Sequence, residues 1–299
     1  MRIGIDLGGT KIEAIALAKN GATLSRQRIA TPSTGYDDML AALVQLVADV
    51  EAQTGVTGSI GVGIPGAVSK LTGFVKNANS VWLNGKPFER DLSDALQRPV
   101  RIANDADCFA LSEATDGAGA GMRNVFGIIL GTGCGGGIVI DGKLLSGPNS
   151  IAGEWGHNPL PWPSPQETPG PGCYCGKHGC TETFLSGPGW AARHFEVSGQ
   201  RMTAAEIAAS ASAGDAIARA SLEHYLDRLA RATASVINIL DPDIVVLGGG
   251  LSNVDALYAQ LPQRWREYVF SDRVDTRLAR NKHGDSSGVR GAAWLWPEA

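Results

Sequence analysis

The chain has 299 residues, 43% of them hydrophobic and 19% charged, with a formal net charge of −4. That is ordinary globular composition, long enough for one large domain or two of average size, and no basic run offers itself to nucleic acid. No apolar run approaches the roughly 18 residues of a membrane helix, and the N-terminus opens on a strand pattern instead of a signal peptide, so a cytoplasmic protein with no membrane partner is expected.

In chain order, residues 2–7 and 11–18 read as strands joined by Gly8-Gly9-Thr10. Asn20-Gly21 predicts a type I′ turn into a third strand over 23–30. Residues 37–54 carry Met39, Leu43, Leu46, Val47 and Val50 at helical spacing, and Gly55 is the stop. Buried strands follow at 59–64 and 100–103, with a short helix near 88–97 between them and a helix over 106–116 after them. A second run then opens as the first did: strand 124–130, a turn at Gly131-Thr132-Gly133, strand 136–141, the hairpin pair Asp141-Gly142, and strand 143–146. Residues 148–189 are rich in glycine and proline. Helices are expected at 187–197, 203–213, 215–240, 254–268 and 285–295, with strands at 244–247 and 273–280. Strands alternating with helices predict an α/β fold with mixed sheets covered on both faces.

The two similar turns, at 8–10 and 131–133, suggest two lobes holding one phosphate chain. Backbone N–H groups in a glycine turn converge on an anion because no Cβ blocks the approach. Thr10 and Thr132 add hydroxyl donors, Asp6 is placed to hold a hydrated Mg²⁺, and Gly248-Gly249-Gly250 makes a third glycine run after a strand. The segment 131–136 also matches the dinucleotide pattern G-x-G-x-x-G, but that pattern needs a helix next, and here a strand follows. No Walker A sequence is present.

Five cysteines, an odd number, point to a reduced compartment. Cys173, Cys175 and Cys180 follow His157 closely, and three thiolates with one imidazole complete a tetrahedral zinc shell. Such a shell leaves no open position, so zinc there is structural. Cys108 and Cys134 read as small buried residues. Asp105 stands where a strand gives way to a helix, which suits an N-cap or a general base equally. Glu154, His157 and Glu182 are groups that recognise polyols, and Asn77, Asn79 and Asn84 around Trp82 are either similar or simple turn formers. His178, His194, His224 and His283 read as surface residues.

Taken together, Asp6-Leu7-Gly8-Gly9-Thr10-Lys11, Gly63-Ile64-Pro65-Gly66, Asn104-Asp105-Ala106, Gly131-Thr132-Gly133, Glu154-x-Gly156-His157, the C-x-C-G-x-x-G-C-x-E stretch from Cys173 to Glu182, and Leu247-Gly248-Gly249-Gly250 resemble the ROK family of bacterial sugar kinases. The stretches 77–85 and 283–294 most resemble its fructokinase members. The resemblance implies two actin-like (RNase H-like) α/β lobes with ATP and sugar in the cleft between them. One lobe spans 1–118 and is rejoined by a C-terminal helix at about 285–299; the other spans 119–284 and includes a zinc loop at 157–182. It implies Asp105 as general base, and Asn104, Asp105, Glu154, His157 and Glu182, with Asn79, as sugar ligands. It places ATP on Asp6, Gly8, Gly9, Thr10, Lys11, Gly131, Thr132, Gly133, Gly248, Gly249 and Gly250, and zinc on His157, Cys173, Cys175 and Cys180. One ring nitrogen of His157 would face zinc and the other a sugar hydroxyl.

The activity so implied is ATP- and Mg²⁺-dependent phosphorylation of a free hexose by a homodimer. D-fructose is the first acceptor, and N-acetylglucosamine, glucose and mannose are the alternatives. A sugar-sensing transcriptional regulator is the different-class alternative; the absence of a basic patch speaks against it.

Overall fold

The computed structural model describes residues 1–78 and 81–297. Its strands and helices are β1 (Arg2–Leu7), β2 (Lys11–Leu17), β3 (Thr23–Ala30), α1 (Tyr36–Thr54), β4 (Ser59–Ile64), β5 (Ala67–Val68), β6 (Val75–Lys76), α2 (Phe88–Leu96), β7 (Val100–Asn104) and α3 (Asp105–Thr115). They continue as β8 (Asn124–Leu130), β9 (Cys134–Ile140), β10 (Lys143–Leu144), α4 (Glu182–Leu185), α5 (Gly187–Ser198), α6 (Ala204–Ala213), α7 (Ala216–Leu240), β11 (Ile244–Gly248), α8 (Asp255–Arg264), β12 (Arg277–Arg280) and α9 (Ser287–Trp294).

Two five-stranded sheets repeat one plan. The first has the order β3-β2-β1-β4-β7 and the second β10-β9-β8-β11-β12. In the first, β1 pairs antiparallel with β2 and parallel with β4. In the second, β11 pairs parallel with both β8 and β12. The expected α/β fold with mixed sheets is therefore present, and the repeat seen in the glycine turns extends to the strand order. Contacts divide the chain into two compact units: Met1–Gly121 with Gly137–Ala152 and Asp285–Ala299, and Met122–Gly136 with Gly153–Gly284.

In the first unit, Met39, Leu43, Leu46, Val47 and Val50 of α1 are all buried and pack with Ile3, Ile5, Ile60 and Val62 of the sheet. Each such side chain contributes about 1.5–3 kcal/mol of transfer free energy. Gly55 ends α1 in the left-handed conformation, φ 68°, which glycine adopts without Cβ strain. On the other sheet face α9 approaches at backbone distance. A Cβ on Gly61 would lie 1.9 Å from the carbonyl oxygen of Ala292, and one on Gly291 would lie 1.6 Å from that of Cys108. Glycine is thus required where α9 crosses β4 and α3.

Several elements depart from expectation. Asn20-Gly21 does not form a type I′ turn, because only Gly21 takes positive φ (80°). The Gly21 amide donates to Ala18 O, and the β2–β3 register shifts at Ala16/Leu17, as in a type I turn followed by a glycine bulge. Asp141 (φ 50°) and Gly142 (φ 73°) do form the two-residue type I′ loop. Strand β12 covers only four residues of the expected eight, because its partner β11 offers only Ile244–Leu247 for pairing. Helix α8 stops at Arg264, two residues after Pro262, and a 3₁₀ turn over Trp265–Glu267 follows.

The proline-rich segment before the cysteines is clamped to α7. Arg231 donates to Pro161 O and Trp162 O, each at 2.9 Å, and to both oxygens of buried Glu167. Arg228 adds a bond to Glu167 at 2.7 Å. Burial alone would raise the Glu167 pKa, but the two guanidinium groups hold it down at about 2.

Candidate active site

In the first unit Asp6 and Asp105 come together. Asp6 is the penultimate residue of β1, opposite Glu13 in the antiparallel register. Its carboxyl is pushed up to about 6, by burial first and then by the charges of Asp105 and Glu13. Two carboxylates that disfavour each other's ionisation form a site a divalent cation would relieve, which fits the Mg²⁺ role expected of Asp6. Cys108, fully buried nearby, has its thiol raised by burial and by Asp107, Asp6 and Asp105.

The strand end positions Asp105. Asn104, not Asp105, is the N-cap of α3: its Oδ1 accepts from the Ala106 amide at 2.8 Å, while its Nδ2 donates to Gly66 O at 3.0 Å. Asp105 Oδ1 also meets the Ala106 amide at 2.8 Å, and the residue is exposed. The cap reading of this position therefore belongs to its neighbour, and the Asp105 carboxylate stands at the N-terminus of α3.

The first glycine turn is closed by the Gly8 amide donating to Lys11 O at 3.0 Å. Thr31 occupies the carbonyls, its Oγ1 on Gly8 O and its amide on Thr10 O. Among the described residues, the amides of Gly9 and Thr10 have no acceptor in the protein, as a phosphate-facing turn requires. Asn79 lies outside the described residues. Asn84 binds both the amide and the carbonyl of Ala78, and Asn77 takes φ 58°, so these two serve the turn.

In the second unit the turn at 131–133 is joined to the polyol-type residues by three contacts. Glu182 Oε2 accepts from the Cys134 amide at 2.9 Å. Trp155 Nε1 donates to Gly135 O at 3.1 Å. Gly156 packs so closely that a Cβ would lie 2.2 Å from Cys134 O. Together they bring Glu154, His157 and Glu182 to the start of β9. Gly249, at φ 78°, runs against Leu130 O, where a Cβ would lie 2.4 Å away.

A cavity of about 950 Å³ opens beside these turns, lined by Gly131, Thr132, Gly250 and Leu251 and by α5 and α6 residues including Ala191, Phe195 and Ala205. Its mixed polar and apolar wall suits a purine nucleoside. The α5 and α6 contributions were not foreseen, because small and apolar residues on amphipathic helices carry no nucleotide signature in sequence. Another cavity, of about 810 Å³, is lined by Glu167, Arg228, Arg231 and residues of α5. It contains none of the expected site residues, and its charges are already paired, so we assign it no part in the chemistry. His194 borders it and is only 2% exposed, contrary to the surface position expected.

His157, Cys173, Cys175 and Cys180 place one ligand atom each within 4.8 Å of one another. Cys175 Sγ lies 3.6 Å from Cys180 Sγ, and Cys173 Sγ lies 3.6 Å from His157 Nδ1. A tetrahedral zinc with ordinary bond lengths has S–S and S–N edges of about 3.8 and about 3.6 Å, so the four residues fit the ion. The Lys177 amide lowers the Cys175 pKa, while burial raises Cys180 to about 12. The other ring nitrogen of His157 does not face open space. Its Nε2 lies 2.9 Å from the hydroxyl of Tyr174, whose ring stands edge-on to the imidazole.

No helix among the described residues is long and apolar enough to cross a membrane. Residues 2–299 match the profile of the ROK family. The chain is 43% identical, over 99% of both chains, to an N-acetyl-D-glucosamine kinase of Escherichia coli. Its structure is similar to that of a ROK hexokinase from Thermus thermophilus, with TM-score 0.87, 32% identity and coverage of 98% and 96% of the two chains. It is also similar to a ROK family glucokinase from Streptomyces griseus solved with glucose and AMPPNP, with TM-score 0.77, 27% identity and 98% of each chain covered.

Proposed function

The chain belongs to the ROK family, and on that premise we propose that this sugar kinase transfers the γ-phosphoryl group of ATP to N-acetyl-D-glucosamine. The observation that carries the choice of acceptor is the 43% identity extending over 99% of both chains with the E. coli N-acetyl-D-glucosamine kinase. That extent outweighs the fructokinase likeness of the short stretches 77–85 and 283–294, so fructose gives way to what was its alternative.

In this reading the adenosine lies in the 950 Å³ cavity, and the amides of Gly9, Thr10, Thr132 and Gly133 offset charge on the phosphoryl oxygens. Lys11 and the glycines of 248–250 complete the ATP contacts. Asp105 takes the proton from the acceptor hydroxyl as its oxygen attacks the γ-phosphorus in line. Asn104, Glu154, His157 and Glu182 hold the sugar. Asp6 would hold Mg²⁺, which would supply charge neutralisation, and His157, Cys173, Cys175 and Cys180 would hold a zinc ion that would fix the loop presenting His157.

The test is ADP release with Mg-ATP over N-acetylglucosamine, glucose, mannose and fructose. N-acetylglucosamine is expected to give the highest kcat/KM. A clear preference for fructose, or no turnover with any of the four, rejects the reading.

A further inference from the structure

The residue that braces the first glycine turn, Thr31, belongs to none of the motifs read from the sequence. Lys11 pairs with Ala30 across β2 and β3, which brings Thr31, the next residue, level with Thr10. The Thr31 amide donates to Thr10 O at 3.1 Å, and its Oγ1 donates to Gly8 O at 2.7 Å. Pro32 follows, and a residue before proline is driven to extended backbone, which narrows the conformations open to Thr31.

A peptide group is planar and trans, so its C=O and its N–H point in opposite directions. Gly8 O and the Gly9 N–H belong to the same peptide group. The hydroxyl on Gly8 O therefore aims the Gly9 amide away from Thr31, and among the described residues that amide has no acceptor in the protein. The group lies between two residues without a Cβ, which take either sign of φ readily, so without an anchor it can turn over at little cost. The Gly8 amide stays tied to Lys11 O at 3.0 Å in either case. Loss of the Thr31 hydroxyl would thus leave the hairpin closed and release one peptide group within it. We propose that Thr31 is a positioning residue for the nucleotide: its hydroxyl locks the Gly8–Gly9 peptide with the Gly9 N–H facing a phosphate oxygen. This role deepens the reading of the turn as a phosphate site, rests on it, and does not depend on which hexose is the acceptor.

The test compares wild-type protein with Thr31→Val, which keeps the branched shape and removes the donor, and with Thr31→Ser, which restores it. Binding of AMPPNP with Mg²⁺ is measured by calorimetry without sugar, and KM and kcat are measured for Mg-ATP. Sugar binding is measured without nucleotide, using whichever of the four hexoses gives the highest kcat/KM in the ADP-release assay. In Thr31→Val, AMPPNP affinity should fall about tenfold, the worth of one amide hydrogen bond to a charged oxygen, with sugar affinity changed less than about twofold. The KM for Mg-ATP should rise by about the same factor, with kcat changed less than about threefold, and Thr31→Ser should recover most of the loss. Unchanged nucleotide affinity in Thr31→Val, an equal loss of nucleotide and sugar, or a Thr31→Ser variant as impaired as Thr31→Val overturns the inference. Wild-type protein that fails to bind AMPPNP with Mg²⁺ rejects the phosphate reading of the turn and Thr31 with it, whereas wild-type binding beside an insensitive Thr31→Val variant overturns only the role of Thr31.

Discussion

Replacing Asp6 with Asn should make the ligand-free protein more stable at neutral and alkaline pH while damaging its activity. In the folded chain the Asp6 pKa stands at about 6 against an ordinary 3.8, through burial and the neighbouring charges of Asp105 and Glu13. A carboxyl raised in this way favours folding while protonated. Its penalty is absent below the unfolded value of 3.8, grows as pH rises, and is complete above about 6. At about 1.4 kcal/mol per pH unit, the gap corresponds to about 3 kcal/mol of destabilisation at pH 8 and about 1 kcal/mol at pH 4.5. Asn has nearly the same shape and no charge, so the variant should recover most of that amount. Urea unfolding of both proteins at pH 8, 6 and 4.5, without nucleotide or Mg²⁺, measures it directly. The expected pattern is a higher midpoint for Asp6→Asn at pH 8 that converges on wild type as the pH falls. Equal stabilities at pH 8, or a difference that does not shrink towards pH 4.5, would refute the view that Asp6 is held in an electrostatically unfavourable site for the sake of a cation. Since Asp105 shares the repulsion, Asp105→Asn should give a smaller gain, and the two gains should not add.

Asp105→Asn should lower kcat by roughly 10²–10⁴-fold, since the variant retains shape but cannot accept the hydroxyl proton; near-normal turnover in the ADP-release assay would end the assignment. Cys175→Ser should reduce bound zinc from about one per chain to a small fraction, read by elemental analysis of reduced protein. Glu167→Gln removes a buried carboxylate held by Arg228 and Arg231. Its pKa is depressed, from 4.5 to about 2, so its stabilising share is full above the ordinary value and is lost as pH falls towards 2. The variant should lose on the order of 3 kcal/mol at pH 7, less as the pH drops below about 4.5, as measured by the same unfolding series.

Much of the architecture was legible because it is local. Alternation and helical spacing, read with turn chemistry, depend on neighbours a few residues apart, and Asp141-Gly142 needs nothing beyond its own positive φ angles. The zinc residues were legible for a different reason: His157 and three cysteines within 24 residues have few other uses in a reduced chain. Where local rules failed, a distant partner had decided. Strand β12 is as long as β11 allows. Asn20-Gly21 became a bulged turn to suit the register of β2 and β3.

The sequence by itself thus determined the repeated strand-and-turn plan, the α/β class and the chemical inventory of the site: carboxylates, open glycine amides and a thiolate cluster. Tertiary structure decided how those groups are used. It gave the cap of α3 to Asn104 and set Asp105 beside Asp6. It tied Glu182 to the Cys134 amide, built a nucleoside-sized cavity from unremarkable α5 and α6 residues, and set Tyr174 on the ring nitrogen expected to face the sugar. The physical reason is the same each time. Residue type sets which hydrogen bonds a group is able to make, but which one it makes depends on partners that only folding brings within 3 Å.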